Sequence, residues 1–413
     1  MRISTSLFFQ NGLQTINTQQ GDLMHLYQQL GSGRRMVTPA DDPLAAAQAI
    51  NITQAQAINQ SHADNRAVLS SNLSAEEGAL GSATLLLQDL KTRLVEAGNG
   101  TMSDADRASL AEVLASTRDT MMGIANRTDG NGQYLFSGHS SSRPAFDENT
   151  GAYLGDNGLR KVQADATRQI AGNDIGSVVF AKAPDGSQAY VSAAAAGNTG
   201  SGHIAAPVVQ DTQHAWVREA RGFTISFQEN TTGELEYIVQ RAGEPPLPAV
   251  PYDAAAGKIS LGNGDGVAVQ VSFSGQPAAG DAFTVTPASD TDMNMFQTLD
   301  HLIAALGTPV SGNASAQANL DNALSSAMQK INLNYDQVLS VRASVGTRLN
   351  EIDALDGAGK QRDLGFSNRL SQLEDVDYYT VVSQLQLRSA ALEAAAMAFK
   401  QIQSSSLFIM SSQ

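Results

Sequence analysis

FQNGLQTINTQQGDLMHLYQQL, residues 9–30, and YYTVVSQLQLRSAALEAAAMAF, residues 378–399, carry one apolar rhythm at opposite ends of the chain. Phe9, Leu13, Ile16, Leu23, Tyr27 and Leu30 follow alternating steps of four and three, with Gln20 at the one polar step. Tyr378, Val382, Leu385, Leu392, Ala396 and Phe399 repeat it, with Ser389 between. Steps of this kind place side chains along one seam of a helix, and neither seam has a partner helix beside it in sequence. Packing the two seams on each other satisfies both. The chain then leaves and returns at one end, and everything between projects as a long hairpin. Leu373, Val381, Leu387 and Ile402 lie off the line and widen the apolar surface, which a pair of helices alone cannot cover. Association with further copies is the expected remedy.

Inward from the first seam, Pro39-Ala40-Asp41-Asp42-Pro43 marks a helix start. An aspartate caps free backbone N–H groups and a proline suits the first helical position, so Asp41 and Asp42 read as caps rather than as a catalytic pair. No further proline occurs before the glycines at 98 and 100, which predicts a helix of about 55 residues, about 80 Å long, stable only inside a bundle. Ser103 and Asp106 have capping-box spacing for a following helix that is expected to stop at Asp129-Gly130-Asn131-Gly132. From Gln133 to Pro287 the period changes to alternation. Phe223, Ile225 and Phe227 read as one strand face, Leu235, Tyr237 and Val239 as the next, with a hairpin loop between. Helical pattern returns at Asp290-Thr291, and Gly357 and Gly359 weaken the join to the last seam.

The predicted architecture is therefore mainly α with an inserted β domain. Residues 1–37 and 364–413 form a terminal coiled-coil domain, 38–132 and 288–363 a long-helix bundle, and 133–287 a β-rich outer domain. Such nesting gives a rod with the insert farthest from the termini.

Composition narrows the function. The 413 residues include no cysteine, which excludes disulfides, thiolate zinc sites and a cysteine nucleophile. A formal net charge of -15 and the lack of a basic run argue against nucleic acid as partner. Only 16% of residues are charged, so many exposed helix positions are uncharged polar groups that lose little on meeting a neighbour. No stretch approaches the roughly 18 apolar residues of a membrane span, so no membrane insertion is expected. The N-terminus makes a poor cleavable signal peptide; cytoplasmic residence is the plain expectation, with export that reads no such signal as the alternative.

Catalytic chemistry finds no foothold. The histidines include no pair at metal-binding helical spacing, and HExxH, GxSxG and P-loop motifs are missing. Asp290, Asp292 and Asn294 imitate a calcium loop, but Met295 and His301 occupy its required glycine and glutamate positions, and helix capping explains the acids. No catalytic, cofactor-binding or metal residues are assigned. Glu234 and Glu236 read as a solvated strand face; a glycan hydrolase carried by the insert is the competing enzyme reading.

Pro39-Ala40-Asp41-Asp42-Pro43, Val345-Gly346-Thr347-Arg348-Leu349-Asn350 and Gln372-Leu373-Glu374-Asp375-Val376-Asp377-Tyr378-Tyr379 resemble the flagellin superfamily. Gly132-Gln133-Tyr134-Leu135-Phe136-Ser137-Gly138, Gly275-Gln276-Pro277-Ala278-Ala279-Gly280-Asp281-Ala282-Phe283 and Ser406-Leu407-Phe408 resemble its hook-filament junction branch, the hook-associated proteins. The resemblance covers both helical arms and the edges of the insert, and residues 165–255 contribute little to it. It implies a structural, non-enzymatic part of the extracellular flagellum that self-associates in a ring or short tube between an adjacent hook-associated protein and flagellin. It also implies type III export without a cleaved signal and an export chaperone on the C-terminal helix. True flagellin and the hook-side junction protein are the neighbouring readings.

Overall fold

The computed structural model describes residues 5–410. In chain order the helices are α1 (Thr5–Ser32), α2 (Pro43–Ala97), α3 (Asp104–Ala125), α4 (Gly176–Phe180), α5 (Ala215–Arg218), α6 (Met295–Leu306), α7 (Ala314–Glu374) and α8 (Tyr378–Met410). Eleven strands lie between α3 and α6: β1 (Lys161–Asp165), β2 (Arg168–Ala171), β3 (Tyr190–Ala194), β4 (His203–Ile204), β5 (Val208–Val209), β6 (Phe223–Glu229), β7 (Leu235–Arg241), β8 (Val250–Pro251), β9 (Lys258–Asn263), β10 (Gly266–Ser274) and β11 (Ala282–Pro287). The chain divides into two compact units, Met1–Asp64 with Ala354–Gln413, and Asn65–Asp353; α2 and α7 contribute to both.

In the terminal unit, Asp42 starts α2: its Oδ1 accepts the Ala45 N–H at 3.0 Å, and its carbonyl accepts the Ala46 N–H at 2.9 Å. Helix α7 does not weaken at Gly357 and Gly359 but runs unbroken to Glu374. Each glycine costs about 1 kcal/mol in a helix. Contacts from α2 offset that cost: Asn59 Nδ2 donates to the Gly359 carbonyl at 3.0 Å and Gln56 Nε2 to Asp363 Oδ1 at 2.9 Å. The break comes instead at 375–377, where the Asp377 carboxylate accepts from the Tyr379 N–H at 3.1 Å and the Thr380 hydroxyl at 2.6 Å and so caps α8.

In the central unit, Ser103 and Asp106 close a reciprocal capping box on α3. Helix α3 ends at Ala125, earlier than the glycine signal predicts, because Asn126 pairs both ways with the Phe146 backbone, Oδ1 from its N–H and Nδ2 to its carbonyl, each at 2.9 Å. A two-stranded β1-β2 sheet follows, then two larger antiparallel sheets, one of order β3-β11-β6-β7-β8, the other β4-β10-β5 with β9 also on β10. Phe223, Ile225, Phe227, Ile259, Val271, Phe273 and Phe283 close a single core between them. The alternation expected for β6 is met there, with Phe223, Ile225 and Phe227 all buried. This domain enters and leaves at one point, where the Ala288 N–H donates to the Ala189 carbonyl at 2.9 Å.

Residues 133–160 carry no strands of their own. Phe136, Phe146, Phe180 and Phe296 instead make an aromatic cluster, with ring centroids 4.9–6.4 Å apart, that fastens this stretch to α4 and α6.

Candidate assembly surface

Helices α1 and α8 pack on each other in the terminal unit. The line α1 turns inward is Gly12, Ile16, Gln19, Leu23, Leu26 and Leu30, and that of α8 is Val381, Leu385, Ser389, Leu392 and Phe399. Leu26, Val376 and Val381 form the densest part, with Leu30 and Leu385 against them. At the far end Gly12 lets the Phe399 ring approach; a Cβ on residue 12 would stand 3.0 Å from the Phe399 Cδ2. Arg388 of α8 pairs with Asp22 of α1 beside the seam.

The residues expected on the seam split into two sets. Ile16, Leu23, Leu30, Leu385, Leu392 and Phe399 face the partner helix. Leu13 (46% exposed), Tyr27 (59%), Tyr378 (56%) and Val382 (39%) face outward, as does Ala396. The Phe9 side chain lies outside the described residues. The cause of the split is that a wide apolar stripe holds two adjacent heptad lines. The line with larger residues reads more strongly in sequence, whereas the line that packs includes Gly12, whose lack of a side chain permits close approach. Leu26 and Val381 belong to the packed line as well, at steps of three and four from Leu23, Leu30 and Leu385, although the stronger neighbouring line hides them in the sequence. Met24, Leu387 and Met397 are exposed as well, so apolar side chains are left uncovered on both helices of the pair.

Beside this face the two inter-helix segments are sewn together. The Val376 N–H donates to the Gly33 carbonyl at 3.0 Å, and the Arg35 N–H to the Glu374 carbonyl at 2.6 Å. Gly33 sits at φ 69, in the left-handed region where glycine is favoured. Arg35 reaches the Asp42 carboxylate at 3.4 Å, and Gln29 Nε2 donates to the Arg35 carbonyl at 2.6 Å. Asp41 Oδ2 accepts the N–H groups of Thr38 at 2.7 Å and Val37 at 2.9 Å, and its Oδ1 meets His25 Nε2 at 3.1 Å. The Thr38 amide, then that of Val37, holds this carboxyl below its usual range. Pro39 and Pro43 are exposed at either side of these caps. A groove of about 510 Å³ runs alongside, lined by Met36, Val37, Pro39, Ala49, Ile50 and Ala57.

Elsewhere the polar groups singled out in sequence have structural duties. Asn294 caps α6 by accepting from Phe296 and Gln297, and Asp292 accepts the Asn294 N–H at 2.9 Å. Glu234 bonds Asn230 and Thr232 in the β6–β7 turn, and Glu236 bonds Gln228 across the strands. Among the described residues no three His, Asp or Glu side chains converge as metal ligands. Phe136 of the Tyr134-Leu135-Phe136 segment is fully buried, and its carbonyl accepts the Tyr153 hydroxyl at 3.1 Å.

The sequence profile of the bacterial flagellin N-terminal helical region matches residues 3–141. The flagellar hook-associated protein 3 of Salmonella typhimurium is 31% identical over 408 residues, 99% of either chain. Among solved structures, the flagellar hook associated protein-3 of Legionella pneumophila superposes with a TM-score of 0.68 at 26% identity, over 78% of this chain and 98% of that one. A structure described as the flagellar junction protein FlgL of Legionella pneumophila gives a TM-score of 0.64 at 25% identity, over 79% and 100%.

Proposed function

The chain belongs to the flagellar hook-associated protein 3 family, and from that premise we propose that it is a structural component of the bacterial flagellum, joining hook to flagellin filament. The observation that carries the mechanism is the uncovered face of the α1/α8 pair. Leu13, Tyr27, Tyr378, Val382, Leu387 and Met397 hold exposed apolar surface on two helices that already use another face to bind each other. Apolar side chains left exposed on both helices of the pair are the basis for reading it as a site of association. Neighbouring copies in a ring or short tube are the occupants that bury it. The two axial ends of such a ring then meet an adjacent hook-associated protein on one side and flagellin on the other, in heterologous contacts.

The same face explains the route taken before assembly. An apolar α8 would aggregate in the cytosol, so an export chaperone covers it until the chain passes through the type III apparatus without a cleaved signal peptide. No helix among the described residues is long and apolar enough to cross a membrane.

A deletion strain tests this reading. It is expected to carry hooks without filaments and to release flagellin to the medium, and the wild-type chain restores motility while a Leu13→Ser, Tyr27→Ser chain does not. Normal filaments in the deletion strain overturn the junction role. The match to the flagellin N-terminal region keeps the filament subunit as second reading, and indefinitely long filaments grown from the purified chain favour it.

A further inference from the structure

Helix α2 buries an acid that nothing in the assembly reading uses. Glu76 is 1% exposed, on the face of α2 that also carries the fully buried Leu73 and Leu80. Its Oε1 accepts the Asp174 N–H at 3.1 Å, so the two acids are neighbours. The Asp174 carboxylate is taken by Arg348 of α7, whose other nitrogen donates to the Ala171 carbonyl at 3.0 Å. With its Nε towards the Ser344 carbonyl at 3.4 Å, one guanidinium thus serves one acid and two carbonyls. The other charges nearby are engaged elsewhere: Glu77 with Arg342 at 2.6 Å, Glu351 with Arg168 at 2.8 Å, and Arg66 on the Ala164 carbonyl at 2.9 Å. Helix α4, which follows Asp174, contains no titratable side chain.

What this cluster holds is the end of the β1–β2 hairpin and the turn after it. Asn65 and Arg66 fasten the β1 strand by its Gln163 and Ala164 carbonyls, each at 2.9 Å, and Gly172 packs so tightly that a Cβ there would stand 2.9 Å from the Leu69 Cδ2. Closing the turn brings Asp174 onto Glu76 and takes Glu76 from water, while the Asp174 side chain stays 21% exposed. A buried carboxylate is costly to keep charged beside a second, partly exposed one that already holds the neighbouring cation.

We propose that Glu76 is a proton-operated latch: neutral, it lets residues 172–175 and the β1–β2 hairpin close on α2 and α7, and charged, it repels Asp174 and releases them. Burial, and after it the Asp174 charge, pushes the Glu76 carboxyl well above its ordinary value of 4.5, with Arg348 offsetting part of the rise. A carboxyl raised in this way binds its proton more tightly closed than open. The closed form therefore loses stability as pH rises from the open-state value towards the closed-state value, by up to about tenfold in the opening equilibrium per pH unit, and the loss levels off beyond.

Hydrogen exchange of the full chain between pH 6 and 10, corrected for intrinsic rates, reads this opening directly. Residues 161–176 of the wild type are expected to open progressively as pH rises, while α3 and the β sandwich hold, and Glu76→Gln is expected to abolish the dependence. A pH-independent hairpin, or a Glu76→Gln chain that tracks the wild type, overturns the proposal. If Glu76→Gln fails to fold, Asp174→Asn is expected to shrink the total rise. A carbon-detected titration of the Glu76 carboxyl in the wild type is a further check, and titration at the ordinary value overturns the proposal.

Discussion

Arg35 and Leu373, 338 residues apart in sequence, are joined by two hydrogen bonds: Arg35 Nε and Nη2 reach the Leu373 carbonyl at 3.2 and 2.9 Å. That carbonyl lies in the last turn of α7, where the helix no longer supplies an N–H to accept. A guanidinium satisfies it and adds a positive charge at the negative end of the helix dipole. The same residue's backbone bonds Glu374, so a single arginine ties both connecting segments of the terminal unit.

Replacing Arg35 by Ala removes the side-chain half of this tie. The group is half-exposed, so the expected cost is about 1 kcal/mol rather than the larger value of a buried charged hydrogen bond. Arg35→Lys recovers only part, having no planar fork. Hydrogen exchange is expected to rise in 33–42 and 371–378, and unchanged exchange in Arg35→Ala would assign the joint to its backbone pair alone.

The two lines on the α1/α8 pair separate folding from assembly. Tyr27→Ser and Leu13→Ser alter exposed positions and are expected to change monomer stability by no more than about 0.5 kcal/mol while filament attachment fails. Leu26→Ala alters a residue 8% exposed, and its cost is expected in the range of about 2–5 kcal/mol, at the lower end for so thin a core. Melting the purified chains beside a motility assay decides it. Normal filaments with the outward variants, or a large melting shift from Tyr27→Ser, contradicts the assignment of faces.

Asp156 predicts an acid limb. Its carboxylate accepts the N–H groups of His139 at 2.9 Å and Gly158 at 2.8 Å and the Ser140 hydroxyl at 2.8 Å. These donors, the His139 amide first, hold its pKa down to about 2 from 3.8. A depressed acid contributes stability above its unfolded value and loses it as pH falls through the folded one. Asp156→Asn is thus expected to melt below the wild type at pH 7, with the difference closing between about pH 4 and 2. A difference that persists at pH 2 would assign the loss to packing rather than to charge.

The β sandwich is expected to be dispensable for folding of the helices. Since Ala189 and Ala288 are hydrogen-bonded, a short linker in place of residues 190–287 closes the gap without strain. Gln329 and Asn322, which now bond Ser192 and Ile204, would turn to water at little cost. Retained cooperative melting and partial filament attachment are the expected outcome. A stably folded deletion that never assembles would place the polymer contacts in the sandwich instead.

Some features were written locally and needed only periodicity and caps to be read. The long α2 start at Asp42-Pro43, the Ser103/Asp106 capping box and the β6 alternation depend on residues within a few positions of one another, and local sterics and backbone hydrogen bonding decide them. Others depend on partners far along the chain. Whether α7 breaks at Gly357 or at Asp375 turns on Asn59 and Gln56, and whether α3 stops at Ala125 turns on Phe146. Which of two parallel apolar lines on α1 packs against α8 turns on the void at Gly12 that Phe399 fills. Sequence period determined that the ends are amphipathic helices in need of partners. Only the tertiary structure decided which face is satisfied within the chain and which is left for a neighbour, because that choice is made by shape complementarity between residues hundreds of positions apart, to which hydrophobicity along a single helix is blind.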